Sequence, residues 1–144
     1  MKDTNENGNK PRIESGTHPE VAFCDARGDI INVLDRPVSH VALITSKAGS
    51  IRGNHYHPKD EQYMYVLSGS FESLSRDLNI NPTPSATINV FGAGDLVYTP
   101  PMVAHANRYL EDTTCVVMTI DSRESDRYEE HTVKFQVVDH DQVN

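Results

Sequence analysis

Two histidines, His55 and His57, stand two residues apart in the segment RGNHYHPKDEQYMYVLSG, residues 52–69, and a third, His105, stands in GDLVYTPPMVAHANRYL, residues 94–110. Imidazole is the side chain that takes up and gives back a proton near neutral pH, and it is also a common metal ligand. Residues two apart on a strand point to the same face, so the rings of His55 and His57 share a side. On the next strand the same alternation groups Gln62, Met64 and Val66 on one face and Tyr63, Tyr65 and Leu67 on the other. A polar tip above apolar residues is how the wall of a pocket is built. His105 follows a Pro-Pro turn and shares a face with Val103 and Asn107. His55, His57, Gln62 and His105 are therefore expected to form one inward-facing polar pocket, with Asn107 a candidate for its lining.

A pocket of this kind needs strands on several sides. The chain supplies a succession of short runs rich in β-branched and aromatic residues: VAFC, DIINVLD, SHVALITS, RGNHYH, QYMYVLSG, SFESLS, TINVF, DLVYT, VAHANRYL, TCVVMTI and TVKFQVV. Gly, Pro, Asn or Asp ends most of them, the signature of an all-β sandwich or closed barrel. No segment keeps a 3.6-residue apolar period. A turn of helix within SRESDRYEE, residues 122–130, is the one helical candidate, and its charges read as a solvated connection. Ser68, Gly69 and Ser70 suit a tight hairpin, and NPTP at residues 81–84 marks a longer surface connection. Residues 1–19, polar and broken by Gly and Pro, read as a disordered arm, with docking on a second subunit as the alternative. Residues 20–144 are expected to form a single domain.

The formal net charge of −8 repels phosphate at long range, which argues against nucleic acid and anionic membrane surfaces. Any anionic ligand must be held by local cations. No apolar run reaches the length of a spanning helix, and the first residues show neither a basic n-region nor an apolar h-region, so a cytoplasmic protein is expected. Two cysteines, Cys24 and Cys115, give no disulfide framework and no metal knuckle and are expected to be ordinary buried thiols. An apolar share of 37% suits a β domain that dimerises through a sheet, and a homodimer is expected.

The two histidine segments resemble the two motifs of the cupin superfamily: HxH followed by an acidic ligand and Gly, then Gly, Pro and His. Gly69 stands twelve residues after His57, and Gly94, Pro100 and His105 stand as the second motif asks. The resemblance covers roughly residues 21 to 138 and implies a double-stranded β-helix, the jelly-roll barrel. Gln62 holds the place where many cupins carry a metal-binding glutamate; its neighbour Glu61 faces the other way unless a bulge intervenes. RGNHYH is similar to the RGxHxQ segment of the dTDP-4-dehydrorhamnose 3,5-epimerases. RGxHxH with Gln62 and VLSGS looks like the sugar-nucleotide 3,4-ketoisomerases. Both point to polysaccharide or deoxysugar biosynthesis.

This narrower, RmlC-like resemblance implies that Arg52 holds the pyrophosphate of a nucleotide sugar and that His55 or His57 moves a proton next to the sugar ketone. No cofactor is required on that reading. Strict alternation sets Arg52 on the face opposite the histidines, so a bulge at Gly53 is needed to bring it round. Tyr98 and Tyr109 are the nearest candidates for the acid tyrosine of the epimerases, with Tyr98 grouped with Arg52, Gln62 and Asn107 as substrate-binding.

Two other functions stay open. A metal-dependent cupin, such as a dioxygenase, would use His55, His57, His105 and Gln62 as ligands for Zn, Fe, Ni, Mn or Cu. A non-catalytic barrel would bind a small molecule or carbohydrate without turnover. Elsewhere, His18, His40, His131 and His140 read as surface or core histidines, Asp60 and Glu61 as solvated turn charges, and Tyr63 and Tyr65 as packing or subunit-contact residues.

Overall fold

Short strands form wherever β-branched residues alternate with polar ones, and they stop where Gly, Pro or Asn interrupts the ladder. The computed structural model describes residues 10–121 and 132–138, so the connection expected at residues 122–130 lies outside the described residues. The strands are β1 Ser15–Thr17, β2 Val21–Asp25, β3 Gly28–Ile31, β4 His40–Ser46, β5 Ile51–Tyr56 and β6 Gln62–Ser68. They continue with β7 Ser70–Asp77, β8 Thr87–Gly92, β9 Leu96–Thr99, β10 Val103–Tyr109, β11 Thr113–Thr119 and β12 Val133–Lys134. No helix among the described residues is long and apolar enough to cross a membrane.

Two five-stranded antiparallel sheets make the body of the protein, in the orders β1-β9-β6-β11-β4 and β12-β5-β10-β7-β8. Apolar residues of both sheets meet in one core: Met64, Val66, Val97, Cys115 and Val117 from the first pack with Phe71, Phe91 and Tyr109 from the second. Fully burying each of the larger side chains is worth about 1.5–3 kcal/mol. The register stacks the inner faces in layers. His40, Thr119, Gln62 and Thr99 stand in line across the first sheet, and His55, His105 and Ser75 across the second. The next inward-facing layers are Ala42, Val117, Met64 and Val97 on one side and Arg52, Asn107 and Ser73 on the other. The polar layer thus lies above apolar residues on the first sheet and above further polar ones on the second, and the alternation of single strands becomes a lined cavity.

The boundary expected at residue 19 is corrected for the described part of the arm. Ser15–Thr17 pair with Leu96–Tyr98 at the edge of the first sheet, and Glu14 is completely buried. Arg12 reinforces this edge by pairing with Asp77, its backbone N–H and its guanidinium both donating to that carboxylate at 2.8–3.3 Å. Residues 1–9 lie outside the described residues. The β2–β3 hairpin is a separate two-stranded sheet whose residues are all exposed, among them Phe23 and Ile30.

Candidate functional site

The three imidazoles converge. Ring centroids lie 4.9 Å apart for His55 and His57, 4.7 Å for His55 and His105, and 5.5 Å for His57 and His105. One ring nitrogen from each comes within 4.8 Å of the others. His55 and His105 are direct cross-strand partners on β5 and β10, and His57 follows two residues later on the same side. His57 and His105 are buried, and His55 is half-buried. These rings line a cavity of about 400 Å³ together with His40, Arg52, Gln62, Asn107 and Thr119, while Ala42, Ile44, Met64 and Val117 supply apolar wall.

Arg52 reaches this cavity because of a bulge. The ladder between β5 and β10 pairs His105 with His55 and then Ala106 with Gly53, so Asn54 is the extra residue. Gly53 has φ +96° and Asn54 φ +55°, and Cβ on Gly53 would sit 2.7 Å from the His105 carbonyl oxygen. Only a residue without a side chain fits so close an approach at that backbone angle. The inserted residue reverses the alternation, and Arg52 falls opposite Asn107 on the histidine side. The Asn54 side chain in turn accepts from the backbone N–H groups of Val137 and Val138, tying the bulge to the C-terminal segment. Arg52 donates through Nε to Ser46 Oγ and through Nη2 to the Thr45 carbonyl, both at 2.8 Å, which fixes its plane. It also borders a second cleft of about 480 Å³, where Lys47, Ser50 and Ser68 are among its neighbours.

His105 Nδ1 lies 3.3 Å from the Val103 carbonyl oxygen, which can only accept, so Nδ1 is the donor in this bond and Nε2 is the nitrogen left for the cavity. His57 Nδ1 stands 3.5 Å from Thr132 Oγ1. Tyr109 also lines the cavity, and burial raises its phenol above the usual value while Ser46 works against that shift. The donor set suits a divalent transition metal, since imidazole nitrogens bind Zn, Fe, Ni and Cu. Ligand nitrogens about 2.0–2.1 Å from a tetrahedral ion stand roughly 3.3 Å apart. The rings would therefore close in slightly around one.

Several sequence expectations are corrected here. Tyr98 does not line the cavity: it pairs with Tyr63 across the ladder, one residue out of phase with Gln62 and Thr99, so it lies on the outer face. There its hydroxyl donates to Glu61 at 2.6 Å, and burial followed by that carboxylate pushes it up to about 12. Glu61 is also bound by Arg36, so it is paired rather than simply solvated. Asp60 is buried and accepts from the Asp121 backbone N–H. Cys24 is exposed and only Cys115 is buried. His40 is a cavity residue that sequence reasoning missed, although the alternation His40, Ala42, Ile44 on β4 carried the signal.

An antiparallel double-sheet barrel enclosing three histidines, an arginine and two amides is a jelly roll with a small-molecule cavity at its centre. The chain belongs to the cupin family, whose Cupin domain matches residues 42–121 and takes in all three converging histidines. A search of curated protein sequences finds no match. Among solved structures, a 3,4-ketoisomerase from Helicobacter canadensis is 16% identical with a TM-score of 0.68, covering 90% of this chain and 93% of its own. A sugar 3,4-ketoisomerase from Thermoanaerobacterium thermosaccharolyticum, in complex with TDP, is 16% identical with a TM-score of 0.66, covering 84% and 87%. A 3′-monoepimerase from Streptomyces bikiniensis, in complex with dTDP-quinovose, is 23% identical with a TM-score of 0.67, covering 81% and 70%. At these identities the likeness establishes the shared fold.

Proposed function

We propose that the chain is a sugar-nucleotide isomerase or epimerase that moves a proton next to a keto group by means of His55 and His57. The observation that carries this reading is the Gly53–Asn54 bulge, which turns a permanently charged guanidinium onto the same wall as the imidazoles. A nucleotide sugar needs both, a cation for its diphosphate and a base beside its ketone. The sugar sits among the histidines, the diphosphate faces Arg52, and the remainder extends toward the cleft that contains Lys47.

In the reaction, the C–H bond beside the carbonyl breaks, its proton goes to an imidazole, and the electron pair moves to the carbonyl oxygen as an enolate. A neighbouring donor stabilises that oxygen. Return of a proton to the opposite face of the same carbon completes epimerisation; in ketoisomerisation the hydroxyl on that carbon passes its proton to the enolate oxygen, and its own oxygen becomes the new carbonyl as a proton adds to the former carbonyl carbon. Neutral imidazole is matched to this exchange at neutral pH. The solved complexes with TDP and dTDP-quinovose support the choice of dTDP as first probe. The assignment extends to a cytoplasmic homodimer acting in deoxysugar or polysaccharide biosynthesis. Exposed Val41 and Leu43 on the edge strand β4 support the dimer, and a solution mass of one chain would remove that part.

The convergence of ring nitrogens within 4.8 Å favours a second reading, a metal-dependent cupin using His55, His57 and His105, with Gln62 in the same cavity. An ion there would polarise a bound carbonyl or acidify a bound water. Incubation with dTDP-4-keto-6-deoxyglucose in D2O, with metal analysis before and after chelation, separates the readings. Deuterium uptake that persists in metal-free protein is the expected result. Absence of uptake across dTDP-, UDP- and GDP-linked keto sugars, with stoichiometric metal recovered, would overturn it in favour of the second. Binding that survives H55A with no turnover in the wild type would mark a non-catalytic barrel.

A further inference from the structure

Beneath the cavity lies a carboxylate that proton transfer by the histidines does not use. Glu14 is completely buried. Its Oε1 accepts from Ser73 Oγ at 2.7 Å, its Oε2 accepts from Thr99 Oγ1 at 2.5 Å, and its backbone N–H donates to Ser75 Oγ at 3.0 Å. The Asn107 amide fits in one orientation only, with Nδ2 donating to Glu14 Oε1 at 2.9 Å and to the Ala106 carbonyl at 3.1 Å. Turned the other way, its oxygen would face those same two acceptors. The Ala106 carbonyl can only accept, and Glu14 Oε1 already accepts from Ser73 Oγ, so the pair admits only the first orientation. Burying a carboxyl group for packing alone is unfavourable, since an apolar residue would fill the same place without the cost of desolvating polar atoms.

We infer that Glu14 is a positioning residue that locks the Asn107 amide, so that the oxygen of Asn107 is the atom offered to a ligand. Asn107 lines the cavity and stands opposite Arg52 on the neighbouring strand. The cavity therefore carries an acceptor at the level of its cation, and it selects a ligand that brings a hydroxyl there as well as a negative charge. Identification of that hydroxyl as one on the sugar of a nucleotide sugar rests on the proposed function; the locking of the amide does not.

The test is Glu14→Gln, which keeps the shape of the side chain but can face Asn107 with either an oxygen or a nitrogen. In the wild type, the expected result by NMR is that the Asn107 side-chain amide protons exchange with solvent at least tenfold more slowly than those of exposed Asn79. In E14Q that protection falls about tenfold while the thermal midpoint stays close to the wild-type value. Deuterium uptake into dTDP-4-keto-6-deoxyglucose is then measured in E14Q, N107A and the double variant. E14Q lowers the rate about tenfold in the wild-type background and has no further effect on N107A, as coupling through Asn107 requires. Full loss of rate on adding E14Q to N107A, or amide protons unprotected in the wild type, would overturn the inference. A wild type that takes up no deuterium from any nucleotide sugar defeats the proposed reaction, and amide exchange alone then decides the role of Glu14.

Discussion

Replacing Gly53 by Ala strikes the bulge that brings Arg52 to the histidines. Two costs follow. At φ +96° a side chain meets its own backbone, worth about 1–2 kcal/mol for an L-residue. The new Cβ would also lie 2.7 Å from the His105 carbonyl oxygen and 3.1 Å from Ala106 Cα, both backbone atoms that cannot swing aside. Forcing an extra methyl into such a place costs about 1–3 kcal/mol more. Gly49 carries the first term alone, because it has φ +85° and nothing within 4 Å of its would-be Cβ, so the difference between the two positions is the second. G49A is expected to lose about 1–2 kcal/mol and G53A about 2–5 kcal/mol, the change in unfolded-chain entropy being common to both. Urea unfolding at 25 °C measures the difference. Equal losses within about 0.5 kcal/mol would refute the close approach, since surface-scale effects are of that size.

Burial works to raise the Asp77 carboxyl, but the Arg12 side chain and the backbone N–H groups of Arg12 and Asn79 outweigh it and hold the group below its ordinary value. A lowered folded-state value means stability that is present above the unfolded pKa and lost as pH falls; R12A is therefore expected to cost about 1–2 kcal/mol at pH 7, with the difference from wild type shrinking below about pH 4 in acid titrations followed by circular dichroism. Thiol labelling at pH 8 is expected to modify Cys24 alone in native protein and both cysteines in urea, because burial pushes Cys115 up to about 11. Y98F is expected to leave dTDP affinity within about twofold, the residue being outside the cavity, and to raise the Glu61 carboxyl by removing the donor that does most to lower it, as read by side-chain NMR.

Most strands were legible because each is a local pattern: β-branched residues in alternation, closed by a residue that cannot continue the ladder. β1 was not, since Ser-Gly-Thr carries no such pattern and pairs with Leu96–Tyr98, about eighty residues away, while Arg12 and Glu14 just before it are tied to Asp77, Ser73, Ser75 and Thr99. Alternation placed His55, His57, Gln62 and Asn107 on one inner surface, and the glycine in RGN signalled the bulge that carries Arg52. The same rule, applied from Gln62 to its ladder partner, sends Tyr98 outward, but the pairing of β6 with β9 is a long-range fact that no local run of residues states. His40 shows the converse. Its alternation with Ala42 and Ile44 was visible, yet which side of β4 faces the cavity depends on the neighbouring β11. The exposed Phe23 and Ile30 of the β2–β3 hairpin likewise read as ordinary strand residues until the barrel shows that it does not cover them.

The claim on which the account stands is that His55, His57, His105 and Arg52 surround one ligand. Imidazole and guanidinium resonances of isotope-labelled protein, followed while a dTDP-linked sugar is added, test it directly. The account expects those four side chains to shift together with one saturating dissociation constant, while exposed His18, at the edge of the first sheet beside Asp95, stays still. Rings that do not respond, or an Arg52 that titrates with a different constant from the histidines, would contradict it.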